Sequence, residues 1–290
     1  MPPLIAIVGE TASGKSALAL ELAQKFNGEI ICADSWTVYK GFDIGTAKPS
    51  AWERALVPHH LLDVADPVEG FSAPMFQRLT NQVVTEVTSR MRLPILVGGT
   101  GLYIDSVLFD YGFLPPHDLN LRAELNLKSL DELLARADEL ELDTSTIDVR
   151  NKRRVIRLIE NNGVLPTRRE LRENTLVLGM QVPRDALQSR IAKRVDAMLT
   201  AGLEHEVSML AERYGWDVEA MKGIGYREWR EYFLGEQSLD ETRARIIKST
   251  MDLAKRQRTW FKHNSSIHWV DDRCYAEDIV TTFLNKSTYR

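Results

Sequence analysis

The residues Gly9-Glu-Thr-Ala-Ser-Gly-Lys-Ser16 follow the spacing G-x-x-x-x-G-K-[ST]. Such a segment binds phosphates when it lies between a strand and a helix. Its glycines let the backbone curl until successive N–H groups point inward, and the helix N-terminus adds partial positive charge. Lys15 supplies a point charge for phosphate oxygens, and Ser16 a hydroxyl for a metal ion, here Mg²⁺. Gly9, Thr11, Ala12, Ser13, Gly14, Lys15 and Ser16 are the expected diphosphate-binding residues. The signal is specific for a di- or triphosphate and silent about what carries it.

An NTPase normally adds a carboxylate at the end of a neighbouring apolar strand to hold Mg²⁺. The run Leu93-Pro-Ile-Leu-Val97 ends instead in Gly98-Gly-Thr-Gly101, whereas Glu29-Ile-Ile-Cys-Ala-Asp34 ends in an acid. Carboxyl ends of strands face the ligand crevice of an open α/β sheet, so Asp34 and Thr100 are expected beside the phosphates. Asp34 also suits a helix N-cap, and Thr100 a plain turn. Arg190 and Arg194 share one face of an expected helix. They read either as a surface pair with Asp185 or Asp196, or as cations reaching a departing pyrophosphate. His59 and His60 are adjacent and lack metal-ligand spacing. Trp229, Trp260 and Trp269 read as core or interface residues, and Trp36 as a wall of the substrate channel.

These groups need a scaffold. Short apolar runs at Leu4–Val8, Glu29–Ala33, Leu93–Val97, Leu176–Met180 and Ile267–Val270 alternate with helical periodicity over Lys15–Phe26, Ala73–Met91, Pro183–Arg213 and Leu239–Lys262. Ser238 and Glu241 form a capping box before the last long helix. The pattern predicts an α/β fold: a P-loop NTPase-like parallel sheet flanked by helices, with an inserted helical domain. The turn-rich stretch Tyr111–His117 opens the insertion, and Asn161–Pro166 precede the return to the sheet. The expected division is a core of 1–112 and 173–290 and a helical insertion of 113–172.

With 290 residues, 44% of them hydrophobic, the chain has globular composition. Two cysteines exclude a disulfide scaffold. No apolar run reaches the roughly 20 residues of a membrane span, and the N-terminus reads as a strand and not a signal peptide, so a cytoplasmic protein, with no membrane partner, is expected. The formal net charge of −4 hides an asymmetry. Residues 128–148 carry seven acids against two bases; residues 150–172 carry eight bases against two acids, and 243–262 seven bases against one acid. Two basic stretches in an acidic protein suggest a localised polyanion contact, although many charge runs are only solvated helix faces.

Several blocks resemble bacterial tRNA dimethylallyltransferases. They are Gly9–Ser16, Asp34-Ser-Trp-Thr-Val-Tyr39, Asp43-Ile-Gly-Thr-Ala-Lys-Pro49, His59-His-Leu-Leu-Asp63, Gly98–Tyr103, Arg153-Arg-Val-Ile-Arg157, Ile224-Gly-Tyr-Arg-Glu228 and Lys255-Arg-Gln-Arg-Thr-Trp260. The resemblance implies transfer of a dimethylallyl group from dimethylallyl diphosphate to N6 of the adenosine directly 3′ of the anticodon in tRNA, releasing pyrophosphate. It implies catalytic roles for Asp34, Thr100 and Arg194, with Asp34 receiving the amine proton. It implies tRNA contacts at Asp34, Ser35, Trp36, Thr37, Thr100, Arg122, Arg153, Arg154 and Arg157, with Mg²⁺ on Ser16. The partners implied are the tRNA anticodon stem-loop and dimethylallyl diphosphate, and a monomer is expected. The family usually has Gln where Thr37 stands and Pro where Glu10 stands. The phosphate loop alone would also fit a small-molecule or nucleotide kinase using ATP, with the Arg-bearing insertion as its lid.

Overall fold

The computed structural model describes residues 1–114 and 119–287. The chain divides into two compact units: Met1–Phe109 with Leu171–Arg290, and Asp110–Glu170. The first is built on a parallel sheet of six strands, β1 (Leu4–Gly9), β2 (Gly28–Ala33), β3 (His59–His60), β4 (Leu93–Gly98), β5 (Thr175–Met180) and β6 (Ile267–Val270). Their order is β3-β2-β4-β1-β5-β6. Every residue of β1 and β4 is buried, which a parallel sheet covered on both faces requires.

Helices α1 (Lys15–Lys25), α2 (Ala51–Leu56), α3 (Ala73–Ser89) and α4 (Gly101–Leu108) belong to this unit, the last three of them unequally legible in the sequence. Helices α5 (Leu119–Leu127), α6 (Leu130–Glu139) and α7 (Lys152–Glu160) form the second unit around Leu125, Leu133, Val155, Ile156 and Ile159. The first unit resumes with α8 (Arg184–Thr200), α9 (Leu203–Tyr214), α10 (Arg230–Phe233), α11 (Leu239–Lys262) and α12 (Arg273–Lys286). The break expected at Tyr111–His117 lies partly outside the described residues.

Two expectations need correction. The stretch Pro183–Arg213, continuous in its periodicity, is two helices, because Gly202 takes φ +97° between α8 and α9. A residue without Cβ enters that left-handed region without steric cost, and the chain turns there. A sixth strand, β3, pairs through Ile30↔His59 and Ile31↔His60 and was invisible to a pattern that needs four residues or more. The capping box of α11 forms as expected: Ser238 Oγ accepts from Glu241 N–H, and the Glu241 carboxylate accepts from Ser238 N–H at 2.8 Å.

Leu18 and Leu22 of α1 pack with Ile5, Ile7, Ile95 and Val280 into one core. A second core gathers Val38, Phe42, Val207, Tyr226, Trp229 and Ile246. Trp229 is fully buried, as expected, whereas Trp260 and Trp269 are 36% and 39% exposed. Trp269 lies on β6, the sheet's edge strand, where half of the side chains face outward.

Candidate active site

The phosphate loop leaves β1 at Gly9 and enters α1 at Lys15. Its sharp curl is visible in the left-handed backbone of Ala12 (φ +61°) and Gly14 (φ +98°). Lys15 is folded back onto the loop, its Nζ donating to Glu10 O at 2.9 Å. Burial, with the Arg194 charge nearby, lowers the Lys15 ammonium to about 8, while Asp34 and Glu10 act in the opposite direction. One N–H of the loop is turned away from the phosphate position, since Thr11 N–H donates to Gln257 Oε1 at 2.8 Å.

Asp34 follows directly on β2, and a strand's period of two places Ile30, Cys32 and Asp34 on one face. Asp34 Oδ1 accepts from Trp36 N–H at 2.8 Å and Thr37 N–H at 3.3 Å. The acid thus shapes its own turn and has Oδ2 without a partner among the described residues. Thr100 is the residue before α4, yet its side chain does not cap that helix. Its Oγ1 accepts from Ser35 N–H at 3.1 Å, which brings the ends of β2 and β4 together. Thr100 thus reaches Ser35, the neighbour of Asp34, and it lines neither of the cavities that Asp34 borders.

A cavity of about 170 Å³ runs from Thr11, Lys15 and Ser16, past Asp34 and Thr37, to Cys32 and Ile30. A second, of about 190 Å³, shares Asp34 and Arg194 and is walled by Trp36, Lys222, Arg227 and Arg256. Arg194, half-buried, lines both, and desolvation lowers its guanidinium while Asp34 nearby offsets the effect. Among the described residues, a 3.4 Å contact to Thr46 O is its one hydrogen bond. Its neighbour Arg190 donates to Ser13 O at 3.3 Å, so of this pair Arg190 braces the loop and Arg194 faces the cavities. Thr37 is buried, and its hydroxyl has no partner among the described residues. Cys32, on the cavity wall, is pushed up to about 12 by burial and stays a neutral thiol, a poor competitor for an electrophile bound beside it.

Several residues with structural duties at this site carried no assigned role in the sequence. Glu206 accepts from three consecutive N–H groups, Asp43 (3.1 Å), Ile44 (2.7 Å) and Gly45 (3.0 Å), and from the Tyr226 hydroxyl (2.7 Å). It thereby fixes the segment whose Thr46 reaches both cavities. Glu10 is buried and accepts from Arg258 Nη2 at 2.8 Å. Among the described residues no three His, Cys, Asp or Glu side chains are grouped to hold a metal. His60 Nε2 lies 2.6 Å from Glu29 Oε2 instead, and His59 Nδ1 lies 2.8 Å from Val57 O.

In the second unit, Arg122 is paired with the buried Glu160 carboxylate at 2.5 and 2.6 Å, and Arg157 reaches the same group at 3.2 Å. Arg153 and Arg154 stand exposed on α7, opposite its buried Val155, Ile156 and Ile159. No helix among the described residues is long and apolar enough to cross a membrane.

A phosphate loop, a strand-end acid with a bare oxygen and a half-buried arginine around two cavities that share residues define a phosphate-loop α/β enzyme without a strand-end metal acid on β4. The chain belongs to the IPP transferase family, whose profile matches residues 37–264. It is 44% identical over 276 residues to the tRNA dimethylallyltransferase of Roseiflexus sp. (strain RS-1), covering 90% of each chain. It is 42% identical to that of Lactococcus lactis subsp. lactis, covering 97% of this chain and 98% of the other. The crystal structure of the full-length tRNA isopentenylpyrophosphate transferase from Bacillus halodurans superposes with a TM-score of 0.77 at 35% identity, over 99% and 98% of the two chains. A eukaryotic dimethylallyltransferase acting on tRNA superposes with a TM-score of 0.81 at 25% identity, over 98% of this chain and 80% of that one.

Proposed function

We propose that this enzyme moves a dimethylallyl group from dimethylallyl diphosphate to N6 of the adenosine immediately 3′ of the anticodon in tRNA. The observation that carries the reading is the sharing of Asp34 and Arg194 by two cavities, one of which begins at the phosphate loop. The diphosphate is held by the loop N–H groups, Lys15, Ser16 and Thr100, with its allyl chain along the Cys32 and Ile30 side. The adenine, taken out of its stack, comes from the Trp36 side. N6 attacks C1 of the allyl group as the C1–O bond breaks. The bonding pair leaves with pyrophosphate, and the N6 proton passes to Asp34 Oδ2. Arg194 meets the charge growing on the leaving group.

Ser16 lines the cavity and would offer its hydroxyl to Mg²⁺, which suits an ion that keeps waters and substrate phosphates as its other ligands. When bound, Mg²⁺ would neutralise charge on the departing diphosphate. We read the enzyme as a cytoplasmic monomer. Incubation with dimethylallyl diphosphate, Mg²⁺ and tRNA, followed by mass spectrometry of the anticodon loop, should show the prenyl mass gain on that adenosine. Robust ATP turnover without it would favour the kinase alternative, which the metal-acid-free end of β4 argues against.

Lys15 gives this reading a pH signature. Its ammonium holds phosphate only when protonated, and in the free enzyme that proton leaves as pH rises through about 8. Pyrophosphate affinity should therefore weaken by up to about tenfold per pH unit above 8, and binding at pH 8 should take up a proton. Calorimetry in buffers of different ionisation enthalpy would measure the uptake. The same shift means the folded chain gains stability as pH rises from about 8 toward the ordinary lysine range, because the unfolded chain holds that proton longer.

Arg153 and Arg154 support the polyanion contact. Both lie in the first turn of α7, where glutamates suit the helix dipole, so charge reversal should leave the fold intact. Arg153→Glu with Arg154→Glu should weaken tRNA binding at least about tenfold and flatten its salt dependence by about 0.7 per lost phosphate contact. Pyrophosphate affinity should not change. An unaltered salt slope would remove these two residues from the interface.

A further inference from the structure

We propose that Gln257 is a positioning residue for the transfer step, a single buried amide that sets the phosphate loop and the Thr100 turn at their working separation. Its Oε1 accepts from Thr11 N–H at 2.8 Å, and its Nε2 donates to Gly99 O at 3.0 Å. Thr11 lies inside the phosphate loop after β1, and Gly99 directly precedes Thr100 after β4. The amide is planar and its acceptor and donor are fixed relative to each other, so gripping one backbone group with each sets the spacing of the two loops. The contact is close: a Cβ on Gly99 would fall 2.2 Å from Gln257 Nε2. A glycine at 99 is what admits the amide.

The neighbours of Gln257 on α11 do related work. Arg258 Nη2 donates to Glu10 Oε1 at 2.8 Å and to Val182 O at 3.0 Å. Trp260 Nε1 donates to Asp105 Oδ2 at 3.0 Å, and its ring lies where a Cβ on Gly101 would come within 2.5 Å. One turn of α11 thus ties the loops that follow β1, β4 and β5. The sequence block Lys255–Trp260 acquires a physical purpose that phosphate or base binding does not account for.

The inference rests on the reading in which the phosphate loop and Thr100 hold the diphosphate while Asp34 meets the amine. Thr100 Oγ1 is bonded to Ser35 N–H beside Asp34, so the spacing of the loops decides whether an allyl C1 anchored by phosphates lies over the nucleophile. Misplacement of that kind costs rate more than affinity.

The test uses the full chain with Gln257→Met, which keeps length and volume, and Gln257→Glu, which keeps the acceptor for Thr11 and loses the donor for Gly99. Single-turnover prenylation with pre-bound tRNA should slow by about tenfold or more in both. Dissociation constants for tRNA and for inorganic pyrophosphate should stay within about threefold, a split that simple loss of folded protein would not produce. In a Thr100→Ala background the loss from Gln257→Glu should largely vanish, because the group being aligned is gone. A folded Gln257→Glu enzyme with wild-type rate overturns the proposal, as does a loss that adds fully to that of Thr100→Ala. If Gln257→Met does not fold, the Gln257→Glu cycle decides alone. A Thr100→Ala enzyme as fast as wild type would instead overturn the underlying reading of Thr100.

Discussion

Asp34→Asn should lower the single-turnover rate of prenyl transfer by about 10²–10⁴-fold while leaving tRNA and pyrophosphate affinities within about threefold. The choice of Asn follows from the geometry. Oδ1 of Asp34 accepts from Trp36 N–H and Thr37 N–H, and an amide oxygen can do the same, so the turn that carries Trp36 is kept. What disappears is the anionic Oδ2. An exocyclic adenine amine is a weak nucleophile, and as C1 approaches, positive charge develops on nitrogen. A carboxylate oxygen within reach stabilises that charge and takes the proton; an amide NH₂ opposes it. Asp34→Ala would be a poorer experiment, since it also leaves two backbone donors without their acceptor. An Asp34→Asn enzyme within tenfold of the wild-type rate would remove Asp34 as proton acceptor and leave it only the cap role that its sequence context also suits.

That dual reading of Asp34 shows what the sequence could and could not reveal. The phosphate loop is legible because its signature is contiguous and its context, strand then helix, lies in the flanking residues. The parallel sheet is legible because its strands are buried on both faces and so appear as unbroken apolar runs. The place of Asp34 on the cavity wall is legible because strand ends have a fixed relation to the crevice, whereas Thr100, also at a strand end, is turned to Ser35 and lines neither cavity. Glu206 was not, because its four donors come from residues 43–45 and 226, remote in sequence, and only packing brings them onto one carboxylate. Gln257 was quoted only as part of a block, for the same reason. Its partners are Thr11 and Gly99, and nothing local to α11 announces them. Gly202 shows the converse failure: its signal is local, but helical periodicity on both sides of it outweighed one residue.

Ion pairing within the fold consumes part of the basic charge. Of the bases counted in 243–262, Arg243 is paired with Asp196, Arg245 with Glu231 and Arg258 with Glu10. Lys248, Lys255, Arg256 and Lys262 remain as exposed cations, and Arg256 borders the cavity of Trp36. The polyanion surface is thus smaller than the count of bases suggests, and α11 spends part of its charge on holding the unit together.

Arg194→Ala should reduce the single-turnover rate by about 10²–10³-fold, with a smaller loss in the affinity for dimethylallyl diphosphate. The ground-state diphosphate already has the loop N–H groups, Lys15 and Ser16 for partners. Bond cleavage adds charge to the oxygen that bridged C1, on the side of the cavity that faces Asp34. Arg194 is the cation common to both cavities, and its one acceptor among the described residues is Thr46 O at 3.4 Å, so its donors are available to that oxygen. Partial burial strengthens the effect, because a guanidinium that has lost part of its water reorganises less when the charge appears. Lysine in its place would be a point charge able to lose its proton in the same setting that lowers Lys15, so Arg194→Lys should recover only part of the rate, and less of it at high pH than an exposed lysine would. An equal loss in substrate affinity and rate would assign Arg194 to uniform binding and not to the transition state. Pyrophosphate inhibition separates the two cases: loss of a residue that acts on the departing group should weaken pyrophosphate binding more than binding of the intact substrate, because only the free product carries the full charge on that oxygen.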